Sequence, residues 1–255
     1  HTREAVRNAK TQPMVSSSEV TATLGQSPIG YLIDWRDSAS PALLYDLLEA
    51  GANVRVAKAP FTALTMSKGA VEFGFGTLFV APKLQQAIPA AAMELLTEAH
   101  SKGLNIHPVA SSYTPEGIDL GSRGFDVLSL PKVLMVTGPG TSAYGTGEIW
   151  HLLDTRVDMP ITMVDSHNLR RVDLDNYTHV IMTTPLRVAG ATEQLDSFVK
   201  GGGVLWLQGA STVAWAANEK LTEATWRMTP AQQQAADLKR AQKKNASADT
   251  QGGLL

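Results

Sequence analysis

The sequence predicts an α/β protein of two doubly wound lobes with mainly parallel sheets. Three observations predict it. A unit made of an amphipathic helix, a glycine and a short apolar strand recurs along the chain. The strands show no polar alternation, as expected of strands covered on both faces, which are common in parallel sheets. The units also fall into two series, parted by a stretch rich in Gly, Ser and Pro. The expected layout is a leading segment and linker at 1–28, a first lobe at 29–112 and a connector at 113–131. A second lobe at 132–222 and a surface helical tail at 223–255 complete it.

Each element has its own signal. Ser16-Ser17-Ser18 and the Ser/Thr-rich run to Pro28 read as linker. Ile29-Gly30-Tyr31-Leu32-Ile33 is the first strand. Ser40-Pro41 opens a helix, with Ser as N-cap and Pro at the first helical position. Leu43, Leu44, Leu47 and Leu48 share one face of it. Gly51 stops that helix, and strands follow near 53–58 and 77–81. Pro89 to Lys102 is helical, Gly103 ends it, and Leu104 to Val109 is a strand. The second series has strands near 132–137, 160–164, 178–183 and 203–208. A helix over Thr192–Lys200, with Leu195, Phe198 and Val199 on one face, ends at Gly201-Gly202-Gly203. A glycine just past a helix takes the left-handed backbone that turns the chain back. Thr229-Pro230 caps an Ala/Gln/Lys helix reaching about Lys244, whose thin apolar face assigns it to the surface.

The 255 residues include 44% hydrophobic and 18% charged positions, the balance of a globular protein with a substantial core. No apolar run approaches the ~18–20 residues of a membrane span. The net charge of -2 carries no basic stripe, so nucleic acid is not an expected partner. Lys239, Arg240, Lys243 and Lys244 read as the solvated face of the tail helix. There is no cysteine, which excludes a disulfide, a thiolate zinc site, an iron–sulfur cluster and a cysteine nucleophile. The chain opens on His1 rather than Met, which predicts a piece cut from a longer polypeptide.

Three places invite chemistry. Gly138-Pro139-Gly140-Thr141-Ser142-Ala143 follows a strand and fits G-x-G-x-x-G/A, with Asp165 at the end of the next strand, where a ribose-binding carboxylate would belong. In that fingerprint the glycines let backbone approach a pyrophosphate at a helix N-terminus. Tyr144-Gly145-Thr146-Gly147 is expected to delay the helix, so the alternative is an ordinary glycine-rich loop. Asp34-Trp35-Arg36-Asp37 ends the first strand, where open α/β sheets bind ligands. Trp35 offers a stacking face and Arg36 an anion contact; otherwise Asp37 or Ser38 prepares the helix and Trp35 packs against protein. Gly209-Ala210-Ser211-Thr212-Val213 stands where a nucleophile elbow belongs, with Ser211 as the candidate nucleophile. No histidine follows His179, so His151, His167 or His179 would have to act as base. The alternative is a serine that only starts a helix.

Metal signals are weaker. His1-Thr2-Arg3-Glu4 matches H-x-x-E, the start of a carboxypeptidase zinc site, with His107 as an imaginable third ligand, but no strand precedes it. His151 and Asp154 share a helix face as a single pair. No metal site is assigned within this segment.

Several stretches together carry a resemblance: Tyr31-Leu-Ile-Asp34, Gly117-Ile-Asp-Leu-Gly-Ser122, Pro131-Lys-Val-Leu-Met135, Gly147-Glu-Ile-Trp-His-Leu-Leu-Asp154 with Pro160-Ile-Thr162, and Ala246-Ser-Ala-Asp-Thr-Gln-Gly-Gly-Leu-Leu255. They resemble the region after the catalytic domain in large bacterial zinc carboxypeptidases of the carboxypeptidase A-like class. That region is similar in fold to class I glutamine amidotransferases and flavodoxin-like domains. The resemblance implies a non-catalytic accessory region, periplasmic or secreted, partnered by the peptidase domain of the same polypeptide. It would scaffold that domain or present peptide or cell-wall substrates, and the zinc would be held by the parent's peptidase domain upstream. An amidotransferase of this fold uses Cys at the elbow with His and Glu later; here Gly209, Ala210 and Ser211 stand there, and no His follows. Two alternatives stay open: a serine hydrolase using Ser211, and a nucleotide- or sugar-binding module at 138–147 or 34–37.

Overall fold

The computed structural model describes residues 24–82, 87–186, 188, 190–224 and 229–251. They fall into two compact units, one within 1–131 and 147–161, the other within 132–146 and 162–255. The architecture is mixed α/β, and one of its three sheets is parallel.

The first unit runs β1 (Tyr31–Ile33), α1 (Ser40–Glu49), β2 (Val54–Ala57), β3 (Phe61–Thr65), β4 (Gly69–Phe73) and β5 (Leu78–Val80). It continues with α2 (Ala90–Ser101), β6 (Ile106–Pro108), β7 (Glu116–Gly117) and β8 (Phe125–Val127). The main sheet has the order β6-β1-β5-β2-β8, and every pairing in it is antiparallel. The parallel sheet expected of this series is therefore corrected. β1 and β2 do run the same way, as do β5 and β6, so each helix still makes a β-α-β crossover. The two crossovers point in opposite directions and interleave, which is the split β-α-β, ferredoxin-like arrangement. Apolar runs cannot reveal this, because side chains report whether a face is covered and not which way the neighbouring strand runs.

Both faces are covered. Tyr31, Ile33, Val54, Leu78, Val80 and Ile106 meet Leu43 and Leu47 of α1 and Ala92 and Leu96 of α2. Leu32, Ala57 and Phe79 point the other way, onto Phe61, Ala63, Phe73 and Phe125. That second cover is a three-stranded antiparallel sheet, β4-β3-β7, absent from the sequence expectation. Its signal was present in the alternation of Phe61, Ala63 and Thr65, buried at every second residue, and in a turn ending at Lys68-Gly69. Stacked Phe61 and Phe73 (centroids 5.3 Å apart) and edge-on Phe61 and Phe125 (5.4 Å) lock the layer to the sheet. The connector is not irregular throughout: β7 and β8 each add an edge strand. The linker also ends earlier than Pro28. Leu24 is buried in the first core, and Ser27 Oγ donates to the Val109 carbonyl (2.7 Å) while accepting from Gly30 N–H (2.9 Å).

The second unit contains β9 (Val133–Thr137), β10 (Ile161–Asp165), 3₁₀ turns at Ser166–Arg171 and Leu174–Asn176, and β11 (His179–Met182). α4 (Ala191–Lys200), β12 (Val204–Leu207) and α5 (Ala210–Asn218) follow. Between β9 and β10 the chain passes through α3 (Ala143–Trp150), extended by a π-helical stretch at His151–Arg156; from Gly147 to Ile161 it belongs to the first unit. The four strands fall where expected. Their order is β10-β9-β11-β12, with β11 parallel to both β9 and β12. Leu134, Val136, Val180 and Met182 pack under Leu195 and Phe198 of α4. At roughly 1.5–3 kcal/mol per buried large aliphatic side chain, such contacts fix the helix on the sheet. On β12 the opposite face stays open: Val204 is 48% and Trp206 42% exposed, so the expectation of two covered faces fails for this strand.

Helix termini largely follow the chemistry. Gly51, Gly103 and Gly202 take positive φ just past α1, α2 and α4. Ser40 is not the N-cap, however; Ala39 is, and the buried Ser40 hydroxyl donates to the Asp34 carbonyl (2.6 Å), tying α1 to the end of β1. The tail helix α6 spans Pro230–Gln251, longer than expected. Thr229 and Gln232 cap it reciprocally, Gln232 N–H to Thr229 Oγ1 and Thr229 N–H to Gln232 Oε1. Among the described residues no helix is long and apolar enough to cross a membrane.

Candidate functional site

In a parallel sheet the carboxyl ends of the strands share one edge, and a crevice opens where the strand order reverses. In the second unit that point lies between β9 and β11. A cavity of about 450 Å³ lies there, lined by Val136 of β9 and Pro139, Gly140 and Thr141 after it, Ser166 and His167 after β10, and Thr184, Pro185 and Leu186 after β11.

The loop after β9 is a tight turn. Gly138 and Gly140 have φ of 102° and 87°, and Gly138 C=O accepts both the Thr141 N–H (3.1 Å) and its hydroxyl (2.6 Å). α3 starts at Ala143, inside the glycine motif, so the expected delay of the helix is corrected. The Thr146 and Thr183 hydroxyls, 3.0 Å apart, join α3 to the chain leaving β11. A Cβ on Gly138 would stand 2.4 Å from Asp165 Oδ2, so only glycine fits beneath that carboxylate. Asp165 accepts the His167 backbone N–H (2.8 Å) and faces its Nδ1 (2.9 Å). The backbone bond first, and then the imidazole, hold the carboxyl below its usual range. A carboxylate against Gly138 opposes a pyrophosphate there, while hydroxyls, carboxylate and imidazole together suit a neutral hydroxylated ligand.

Sequence reasoning identified Gly138, Gly140 and Thr141 in the loop that walls this crevice and named His167 only as a base for Ser211, but missed Ser166 and Thr184. The strand-end rule could have found both, since each lies within two residues of the end of an expected strand.

In the first unit the premise for Asp34, Trp35 and Arg36 is gone, because an antiparallel sheet has no common carboxyl edge. Arg36 lays its fork on Asp34, Nε at 2.9 and 3.0 Å and Nη2 at 2.5 Å. The guanidinium holds the Asp34 carboxyl below its usual range, and the carboxylate raises Arg36 in turn. Trp35 lies over Gly76, whose Cβ would come within 3.0 Å of its Cδ1. The cavity of about 270 Å³ beside them is lined by Asp37, Ala39 and Leu43 and by Leu95, Glu98 and Lys102 of α2.

At the elbow after β12, the sharp turn is made by Gly209 (φ 92°, ψ 144°), which has no side chain to present. Ser211 is exposed in the first turn of α5, and among the described residues no hydrogen bond joins it to an imidazole or carboxylate. His179, proposed as a base, pairs with Thr178 Oγ1 (2.7 Å), and burial lowers its pKa. His1-Thr2-Arg3-Glu4 lies outside the described residues. Among the described residues no three His, Asp or Glu side chains converge on a point that could hold a metal ion, so no step is derived through zinc.

Comparison with family models, curated proteins and solved structures finds no match to this chain.

Proposed function

We propose that the chain is a non-catalytic accessory region that binds a small hydroxylated ligand, such as a sugar, in the crevice between β9 and β11. The carrying observation is the elbow. An architecture of this kind lifts its nucleophile on the turn after a strand, and here that turn is Gly209. The strand order, second-first-third-fourth, supports reading the second unit as flavodoxin-like and doubly wound, with its ligand at the switch point. The resemblance to the region following carboxypeptidase A-like catalytic domains supports a place beside a peptidase, outside the cytoplasm. There the crevice would present substrate or hold the domain in place, while hydrolysis would belong to the zinc centre of the parent.

A thermal-shift screen of the purified chain against sugars and nucleotides tests this. A ligand at 100 times its dissociation constant adds about 2.7 kcal/mol. Sugars are expected to raise the melting temperature and nucleotides to leave it unchanged. Fluorophosphonate labelling that disappears in Ser211→Ala, or carboxypeptidase turnover with stoichiometric zinc, would overturn the non-catalytic reading.

A further inference from the structure

The first unit holds a second concavity, of about 440 Å³, where β2 meets β8. Arg55, Lys58, Gly121, Ser122, Arg123 and Asp126 line it. Arg55 stands on β2 directly across from Phe79 on one side and Val127 on the other. Between these apolar neighbours its Nε is buried and has no hydrogen-bond partner among the described residues. Buried donors nearly always find an acceptor, because nothing else offsets their lost hydration. Arg55 also lines the concavity, and among the described residues its guanidinium makes no hydrogen bond or ion pair, so the group is free to take an anionic partner there.

The surrounding charge has a definite size. Arg55, Lys58 and Arg123 bring three positive charges and Asp126 one negative, leaving two positive. Asp126 is already engaged by Lys58 (2.8 Å). The loop carrying Arg123 is held in place: Gly121 sits at φ 80°, Ser122 Oγ accepts Gly124 N–H (3.1 Å), and Gly124 C=O accepts Lys58 N–H (2.9 Å).

We propose that this concavity binds the phosphate monoester group of a small molecule, with the Arg55 and Arg123 guanidinium groups as donors and Lys58 as a further cation. A phosphate monoester is close to dianionic above its second ionisation near pH ~6, which matches the two uncompensated charges. Its oxygens also fit the planar arginine fork. The site is independent of the crevice in the second unit and stands or falls without it.

Calorimetric titration of the full chain with inorganic phosphate, glucose 6-phosphate and phosphoserine tests the proposal, at about pH 7.5 and about pH 5.5, on either side of that ionisation. At least one of the three is expected to bind, and the tightest names the source of the phosphate. Losing one charged hydrogen bond in Arg123→Gln should weaken binding about tenfold. Arg55→Lys, which keeps the charge but loses the planar guanidinium fork, should also weaken it, as should the lower pH. Lys200→Gln, which removes a cation paired with Asp196 in the second unit, should change nothing. Failure of all three ligands, or affinity indifferent to both arginine variants, overturns the proposal. Acetate binding as tightly as phosphate overturns the phosphate assignment.

Discussion

The two units use the same helix–glycine–strand rhythm to build different sheets. In the first, two β-α-β crossovers run in opposite directions and interleave, so hydrogen-bonded neighbours are antiparallel. In the second they run one way, so the carboxyl ends of the strands gather on one edge. That difference decides where a ligand can sit. Loops after β9, β10 and β11 converge on one crevice. The loop after β1 has no parallel neighbour to converge with, and Asp34 and Arg36 neutralise each other.

Core substitutions test this comparison with the largest effects. Phe61→Ala removes the ring that joins Phe73 to Phe125, and should cost about 3–5 kcal/mol in denaturant unfolding. Hydrogen exchange should then show β3 and β4 losing protection first. Leu195→Ala under α4 should cost about 2–5 kcal/mol, with protection lost at β9 and β11. If Phe61→Ala proved neutral, the hairpin layer would not be the cover of the first sheet.

Glycine substitutions in the crevice loop come next. Gly138→Ala meets both a positive φ and the Asp165 carboxylate, so about 1–3 kcal/mol of destabilisation is expected, read as a drop in melting temperature. Gly140→Ala meets a positive φ in open space, and about 1 kcal/mol is expected. Equal costs at the two positions would deny that Asp165 closes over Gly138.

What was legible and what was not follows from the same contrast. The four strands of the second unit stood in the sequence because each is a short, largely apolar run with Gly, Ser or Thr within two residues of its end. In the first unit β1, β2, β5 and β6 were equally legible, but their direction was not: Leu32 and Ile33 face different cores, and both cores are apolar. The alternation of Phe61, Ala63 and Thr65 in the hairpin at 61–73 was easy to overlook because apolar Leu64 interrupts it in sequence, although Leu64 is only partly buried. In the crevice, Gly138 and Gly140 were legible as turn residues. Asp165 above Gly138 was expected only as a ribose contact, because the sequence cannot show a carboxylate folding back onto the neighbouring loop.

The tail offers a smaller test. Thr229→Ala removes one half of the reciprocal cap, and about 1 kcal/mol of local helix stability should go with it. The readout is faster amide exchange in the first turn of α6, without change at the crevice.

The smallest expected effect is a pH dependence. Burial lowers the pKa of His107, and Lys68 and His100 reinforce this while Asp34 opposes it. The folded state thus binds its proton less readily than the unfolded chain. Stability contributed by neutral His107 is full above the unfolded pKa of ~6.5 and falls as pH drops through the window below it. His107→Phe, which keeps the edge contact with Phe73, should flatten that acid limb in the first unit. His179 should leave a similar, separate limb in the second, since burial lowers it in the same direction.

The crevice itself can be watched directly. In an amide-resolved NMR titration with the sugar that shifts the melting temperature most, Thr141, Ser166, His167 and Thr184 should move together and saturate, with the sugar recovered unchanged. Shifts gathered around Ser211 with the sugar consumed, or shifts at Asp34 and Trp35 with a silent crevice, would contradict the account.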